Sequence, residues 1–339
     1  MPNPKHILVI RLSAMGDVAM TVPVLRAFQE QYPDIKLTVL TREFFKPFFK
    51  ELKNVEFFSA DVKGKHKGVL GLYKLSKELK GLDIDAVADL HNVLRSKILK
   101  LFLHRIQVVQ LDKGRKEKQA LISGNEFKQL KTTIERYADV FKRLGYPTEL
   151  SNPSFPEKKQ LSNEALNIVG NDTKLWIGIA PFAAHESKMY PLDLLEQVIN
   201  LLSKKYKILL FGGGKHETEK LQMFQDDYEN VINIAGKLSF EEEIDVLSNL
   251  DVMLSTDSGN GHIAAMLGIK VVTIWGVTHP FAGFAPFNQP DDYCLLSDRE
   301  KFPKIPTSIY GNKYPEDYKE AIRSISPETI VNKINAILS

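Results

Sequence analysis

Ser255-Thr-Asp-Ser-Gly-Asn-Gly-His-Ile-Ala-Ala-Met-Leu-Gly268, followed by Lys270-Val-Val-Thr-Ile-Trp-Gly276, reads as strand, polar turn, short helix, glycine stop and strand. The run Asp251-Val-Met-Leu-Ser255 is an apolar strand that ends in small hydroxyl residues. Gly259 and Gly261 let the backbone turn tightly and leave amides uncovered. Ile263 to Leu267 forms a short apolar helix, and Gly268 suits a left-handed helix end. A helix that starts in such a turn presents free N–H groups and a positive dipole end, a place for phosphate. An ordinary buried strand–helix connection would not need Asp257, Ser258 and His262 among the glycines.

Near the other end of the chain, His6 to Ile10 is a strand and Arg11 to Val18 a turn. A helix is predicted from Val18 to Tyr32, with Pro23 early in it. Asp17 sits at that helix's amino end, where it is a cap, a base aimed into a cleft, or both. The turn is too short and too poor in glycine for a dinucleotide fingerprint. Gly212-Gly-Gly-Lys215 lacks the spacing of a P-loop and has His216 where Ser or Thr should follow.

Between these turns, strands are expected at 6–10, 36–40, 55–58, 85–89 and 106–109, with a long helix from Glu126 to Leu144 closed by Gly145. Leu150 to Asn163, with two prolines, is a candidate linker and hinge. The second half restarts with a strand at 174–180. Helix 191–203, strand 207–211, helix 216–226, strand 231–234 and helix 240–249 follow, the last opened by a Ser239/Glu242 capping box. Ser326-Pro327-Glu328 opens a final amphipathic helix to Leu338. This alternation argues for parallel sheets covered on both faces. In such sheets ligands sit beyond the carboxyl ends of the strands. Asp17, His91 and Arg95 follow strands of the first half, and residues 183–188, 212–217 and 257–262 follow strands of the second.

Ile10-Arg-Leu-Ser-Ala-Met-Gly-Asp17 with Thr21-Val-Pro23, Asp89 to Ser96, Ala180-Pro181 through Lys188-Met-Tyr-Pro191, and Ser255 to Gly276 together resemble the lipopolysaccharide heptosyltransferases of glycosyltransferase family 9. The resemblance implies an α/β chain with two Rossmann-like domains facing a cleft, the GT-B fold. The expected division is 1–160 for an acceptor-binding domain and 161–325 for a nucleotide-sugar domain. A helix at 326–339 is expected to pack back on the first domain. The implied reaction is an inverting, metal-independent transfer of heptose from an ADP-linked donor to a lipopolysaccharide core, with no cofactor and no metal site. Asp17 matches the family's base and Lys188 the lysine that receives the leaving diphosphate. Ser258, Gly259 and His262 would meet phosphate, although a histidine there also serves helix packing. The Asp257 carboxylate would repel phosphate, so it caps the turn or pairs with a cation such as Lys188. Glu217, after Gly212, would bind a ribose, though an acid at a helix start is favourable anyway. His91, Arg95 and Ser13 fall to the acceptor side.

The chain departs from the family pattern at Gly276-Val-Thr-His279-Pro280, at Phe182-Ala-Ala184 and at Gly261. Those departures leave the donor's sugar and base open. A nucleotide-sugar 2-epimerase on the same fold and a non-catalytic sugar-nucleotide or glycan binder are the alternatives. Retention of Asp17 and Lys188 argues against the binder, and no acid–base pair suited to a sugar C2 is evident.

The chain has 339 residues, room for two domains, and a net charge of +3. Its single cysteine, Cys294, rules out an internal disulfide and suits a reducing compartment. Met1-Pro-Asn-Pro4 leads straight into the first strand, so no signal peptide is expected. The expected setting is the cytoplasm, with peripheral contact at the cytoplasmic face of the inner membrane. Residues 95–118 hold eight Lys/Arg against two acids, and Lys63-Gly-Lys-His-Lys67 adds to them. Such charge suits an anionic glycolipid acceptor or membrane surface, or else is a solvated face with a loop at 113–118. No nucleic-acid recognition motif accompanies it.

Overall fold

The computed structural model describes residues 3–104 and 106–339. Met1, Pro2 and Arg105, the last being one of the basic residues of segment 95–118, lie outside the described residues. The chain forms two units: Met1–Lys113 with Thr133–Ser154, and Gly114–Thr132 with Phe155–Ser339.

In the first unit β1 (His6–Ile10) leads to α1 (Met15–Ala19) and α2 (Thr21–Gln31). Then come β2 (Lys36–Thr41), β3 (Val55–Ser59), α3 (Gly68–Lys80), β4 (Ala86–Asp89), α4 (Leu94–Phe102) and β5 (Gln107–Gln110). The five strands are parallel in the order β3-β2-β1-β4-β5. Every residue of β1 and β4 is buried, as a sheet covered on both faces requires. The chain winds outward from β1 to β3, returns to β4 and winds the other way to β5. Right-handed crossovers therefore put α3 and α4 on the same face, where they pack on Leu8, Ile10 and Val87. The helix expected over 18–32 is two helices separated at Met20. Pro23 has no N–H to carry the ladder across the break, and Thr21 Oγ1 donates to Val18 O at 2.6 Å.

The expected helix 126–144 is also revised. α5 (Arg115–Ile122) and α6 (Thr133–Arg143) are separate, and 123–132 is irregular. Segment 114–132 leaves the first unit and packs within the second. There Leu130 N donates to Phe281 O at 2.9 Å, and Leu121, Leu130 and Ala282 form an apolar cluster. Phe127 lies against His279 and Phe281. The loop read at 113–118 is the start of α5, with Lys118 buried and its ammonium 4.2 Å from the centre of the Phe284 ring. The division near residue 160 is thus replaced by a discontinuous one.

The second unit continues with α7 (Asn163–Val169), β6 (Trp176–Ala180), α8 (Leu192–Leu202), β7 (Lys207–Leu210) and α9 (Lys215–Asp227). β8 (Val231–Asn233), α10 (Phe240–Leu247), β9 (Val252–Thr256), α11 (Gly259–Met266), β10 (Lys270–Trp275) and β11 (Cys294–Leu296) follow. Its strands are parallel in the order β11-β10-β9-β6-β7-β8. β11 is a three-residue edge strand too short to read from periodicity. The Ser239/Glu242 capping box is present, Glu242 N donating to Ser239 Oγ at 3.3 Å and Ser239 N to Glu242 Oε2 at 3.0 Å. Gly268 takes the left-handed conformation at φ +85°. The last helix, α12 (Pro327–Leu338), belongs to the second unit. It packs on α8 with Ile330 and Ile334 fully buried, and Tyr206 Oη bonds Asn335 Oδ1 at 2.9 Å.

Winding reverses between β1 and β4 in one unit and between β6 and β9 in the other. Such switch points open a crevice beyond the carboxyl ends of the strands. Among the described residues no helix is long and apolar enough to cross a membrane.

Candidate functional site

At the β1/β4 switch point, Asp17 Oδ2 lies 2.6 Å from Arg11 Nη2 and accepts Ala14 N at 3.2 Å. Arg11 Nη1 donates to Leu90 O at 2.7 Å, which ties the turn after β1 to the turn after β4. Tyr137 of α6 donates its hydroxyl to Asp17 O at 3.4 Å. The carboxylate is therefore a helix cap that a buried arginine holds in place. Both bonds fall on Oδ2, and Oδ1 takes none of the described hydrogen bonds.

Asp89 ends β4, and its Oδ1 accepts the amides of His91 and Asn92 at 3.0 and 2.8 Å. This turn points His91 inward, 7% exposed. Burial, with Arg11, Lys113 and Arg95 nearby, pushes the imidazole down to about 3. His91 is thus neutral at neutral pH and serves as a hydrogen-bonding group rather than a cation. Among the described residues its Nδ1 has no hydrogen-bond partner. Arg95 is exposed on the first turn of α4, and Ser13 is half-buried in the turn after β1. Asp17, His91 and Arg95 come together at one strand edge.

At the β6/β9 switch point, Lys188 Nζ lies 3.0 Å from Asp257 Oδ2, both side chains largely buried. Thr278 Oγ1 donates to the same Oδ2 at 2.9 Å, so Asp257 pairs with the cation suggested for it. Ser258 precedes α11, and its Oγ stands 3.1 Å from Ser255 Oγ. No side chain caps α11, which leaves the first amides from Gly259 onward without intrahelical partners. His262 is buried on α11. Lys188 and the α11 amino end thus flank one turn and offer a cation and fixed N–H donors to an anion.

Glu217, in the first turn of α9, accepts Gly213 N on Oε2 at 2.8 Å. A side chain on Gly212 would come 3.3 Å from that oxygen. Glu217 thereby fixes its own glycine loop. It also lines a cavity of about 490 Å³ with Phe182, Ser187, Pro191, His216 and Arg323. Ser187, the neighbour of Lys188, and Glu217 are thus among the walls of one cavity.

The model of glycosyltransferase family 9 (heptosyltransferase) matches residues 72–312. The chain belongs to glycosyltransferase family 9. It is 24% identical over 295 residues to the lipopolysaccharide core heptosyltransferase OpsX of Haemophilus influenzae, covering 85% of this chain and 84% of that one. Its fold is similar to that of a family 9 glycosyltransferase from Veillonella parvula, with a TM-score of 0.76, 20% identity, and 98% and 97% of the two chains covered. It is likewise similar to that of the Escherichia coli heptosyltransferase WaaC with ADP, with a TM-score of 0.68, 20% identity and coverage of 98% and 99%. This glycosyltransferase therefore has the GT-B fold of two parallel-sheet α/β domains.

Several residues of this family 9 glycosyltransferase escaped sequence reading. Arg11 stands inside the quoted motif, yet nothing in its spacing shows that it grips Asp17. Thr278 and Gly311 reach Lys188 and Asp257 through long-range contacts. A Cβ on Gly311 would lie 2.7 Å from Lys188 Cγ and Cδ, so this glycine roofs the lysine stem. His279, at a departure from the family pattern, accepts Phe281 N on Nδ1 at 3.1 Å. Burial and nearby Arg299 push its imidazole down to about 4, which fits a neutral cap.

Proposed function

We propose that this protein transfers heptose from an ADP-linked donor to the core of a lipopolysaccharide, with inversion and without a metal ion. The observation that carries the reading is Lys188, fixed by Asp257 and Thr278 beside the uncapped amino end of α11. Charge that develops on a departing diphosphate would meet donors already in place, the role a divalent ion plays elsewhere. The relatives' names support the substrates: one is a lipopolysaccharide core heptosyltransferase, and another was solved with ADP.

In the proposed step an acceptor hydroxyl attacks the anomeric carbon on the face opposite the diphosphate. The new C–O bond forms as the bond to the diphosphate oxygen breaks. The hydroxyl proton passes to Asp17 Oδ1 while Arg11 holds Oδ2, and the bond electrons leave with ADP. Amides at Ser258 and Gly259, His262 and Lys188 receive the diphosphate, and Glu217, after Gly212, contacts the ribose. Ser13, neutral His91 and cationic Arg95 position an anionic acceptor. The same reading sets the protein in the cytoplasm, at the inner face of the inner membrane.

Calorimetric titration with ADP, UDP and GDP in EDTA tests the donor assignment. Selective binding of ADP is expected. Preference for UDP or GDP would move the donor assignment, and ADP binding that needs a divalent ion would overturn the metal-free reading.

A further inference from the structure

We propose that the α3–α4 face of the first unit docks on an anionic lipid bilayer. Leu70, Leu94 and Leu101 stand 85%, 75% and 70% exposed, and Val69 and Tyr73 are also exposed. Helical spacing gathers them. Leu94 and Leu101 are seven residues apart on one stripe of α4, and Leu70 and Tyr73 are neighbours on α3. The two helices pack side by side, with the Tyr73 and Phe102 ring centroids 5.4 Å apart. Their inward sides already supply Leu72, Leu75, Leu79 and Leu99 to the core. The outer leucines therefore do nothing for the fold, and a second apolar side on a surface helix pair marks a contact surface.

The charge around these leucines selects the partner. α4 carries Arg95, Lys97 and Lys100 and no acid. α3 carries Lys74, Lys77 and Lys80 against Glu78 alone, and Glu78 is engaged by Lys65 at 2.8 Å. The approach to α3 adds Lys63 and Lys67, while the Asp61 carboxylate is held by the amides of Gly64 and Lys65. Among the described residues none of Lys74, Lys97 and Lys100 has a carboxylate partner. The whole chain carries only +3, so this excess is local. Leucines ringed by ammonium groups match the boundary between headgroups and acyl chains: the leucines enter and the lysines stay at the phosphates. A second copy of the same face would bring like charges together, and a polyanion in water would leave the leucines wet.

Both helices start at the carboxyl edge of the sheet, the edge that holds Asp17 and His91. Docking stands on the patch itself and does not depend on the transferase reading.

Co-sedimentation with phosphatidylcholine vesicles, with and without phosphatidylglycerol, tests it. The protein is expected to pellet only with the anionic vesicles and to be released by salt. Leu70→Glu combined with Leu101→Glu should weaken binding roughly tenfold or more, and Lys74→Glu or Lys97→Glu about fivefold or more each. Met223→Glu, at an exposed methionine of the second unit, should leave binding unchanged, and all variants should keep the wild-type melting transition. No pelleting, equal pelleting with neutral vesicles, or undiminished pelleting of the double leucine variant would overturn the proposal. So would light scattering that shows a dimer dissolved by the leucine changes.

Discussion

Lys188 and Asp257 show how a cation is kept ready without being left alone. Their charges balance across 3.0 Å in a largely buried turn, and the Thr278 hydroxyl satisfies the carboxylate further. Truncating the lysine leaves that carboxylate buried and facing an incoming phosphate. Lys188→Ala should therefore weaken ADP binding more than tenfold and cost of order 3 kcal/mol of stability. Adding Asp257→Asn should recover part of both losses, because the amide carries no charge. A titration and melting series on the single and double variants checks this; a double variant no better than Lys188→Ala would mean that Asp257 does not act through the lysine. The pairing partner was legible, since a carboxylate in a turn expected to receive phosphate needs a cation. Thr278 was not, because no local spacing links it to Asp257.

At the scale of elements, the sequence conveys strands well and helix limits poorly. Buried parallel strands are continuous apolar runs, so β1, β4, β6 and β9 stand out, and the Ser239 and Ser326 caps announce α10 and α12. Residues 126–132 carry helix-compatible side chains, yet Phe127 and Leu130 pack within the second unit, against Phe281 and Ala282. Tertiary contact overrides propensity there. The loop over Lys188 is likewise invisible before folding. Gly311 holds φ +78° with Lys188 carbons 2.7 Å from the position of a Cβ, whereas Gly124, at φ +76°, has nothing within 4 Å. Alanine at either should cost about 1 kcal/mol of backbone strain. Only Gly311→Ala should also displace the lysine and weaken ADP binding severalfold. Equal ADP affinity in the two alanine variants, read by calorimetry, would contradict the roofing role of Gly311.

For the whole molecule, two doubly wound sheets each place their polar turns at the one edge where winding reverses. That rule made Asp17 with His91 and Lys188 with Asp257 foreseeable as pairs of turns. It did not foresee the state of the groups: Arg11 clamps one oxygen of Asp17, and burial keeps His91 neutral. In the proposed reaction Asp17 is the proton acceptor and the second unit binds the nucleotide. The most direct test is the single-turnover rate of heptose transfer from ADP-heptose in EDTA, for wild type and Asp17→Asn, with ADP affinity measured on both proteins. A rate lower by about 10²–10⁴ is expected for Asp17→Asn, at unchanged ADP affinity. Transfer by Asp17→Asn at the wild-type rate would contradict its role as proton acceptor.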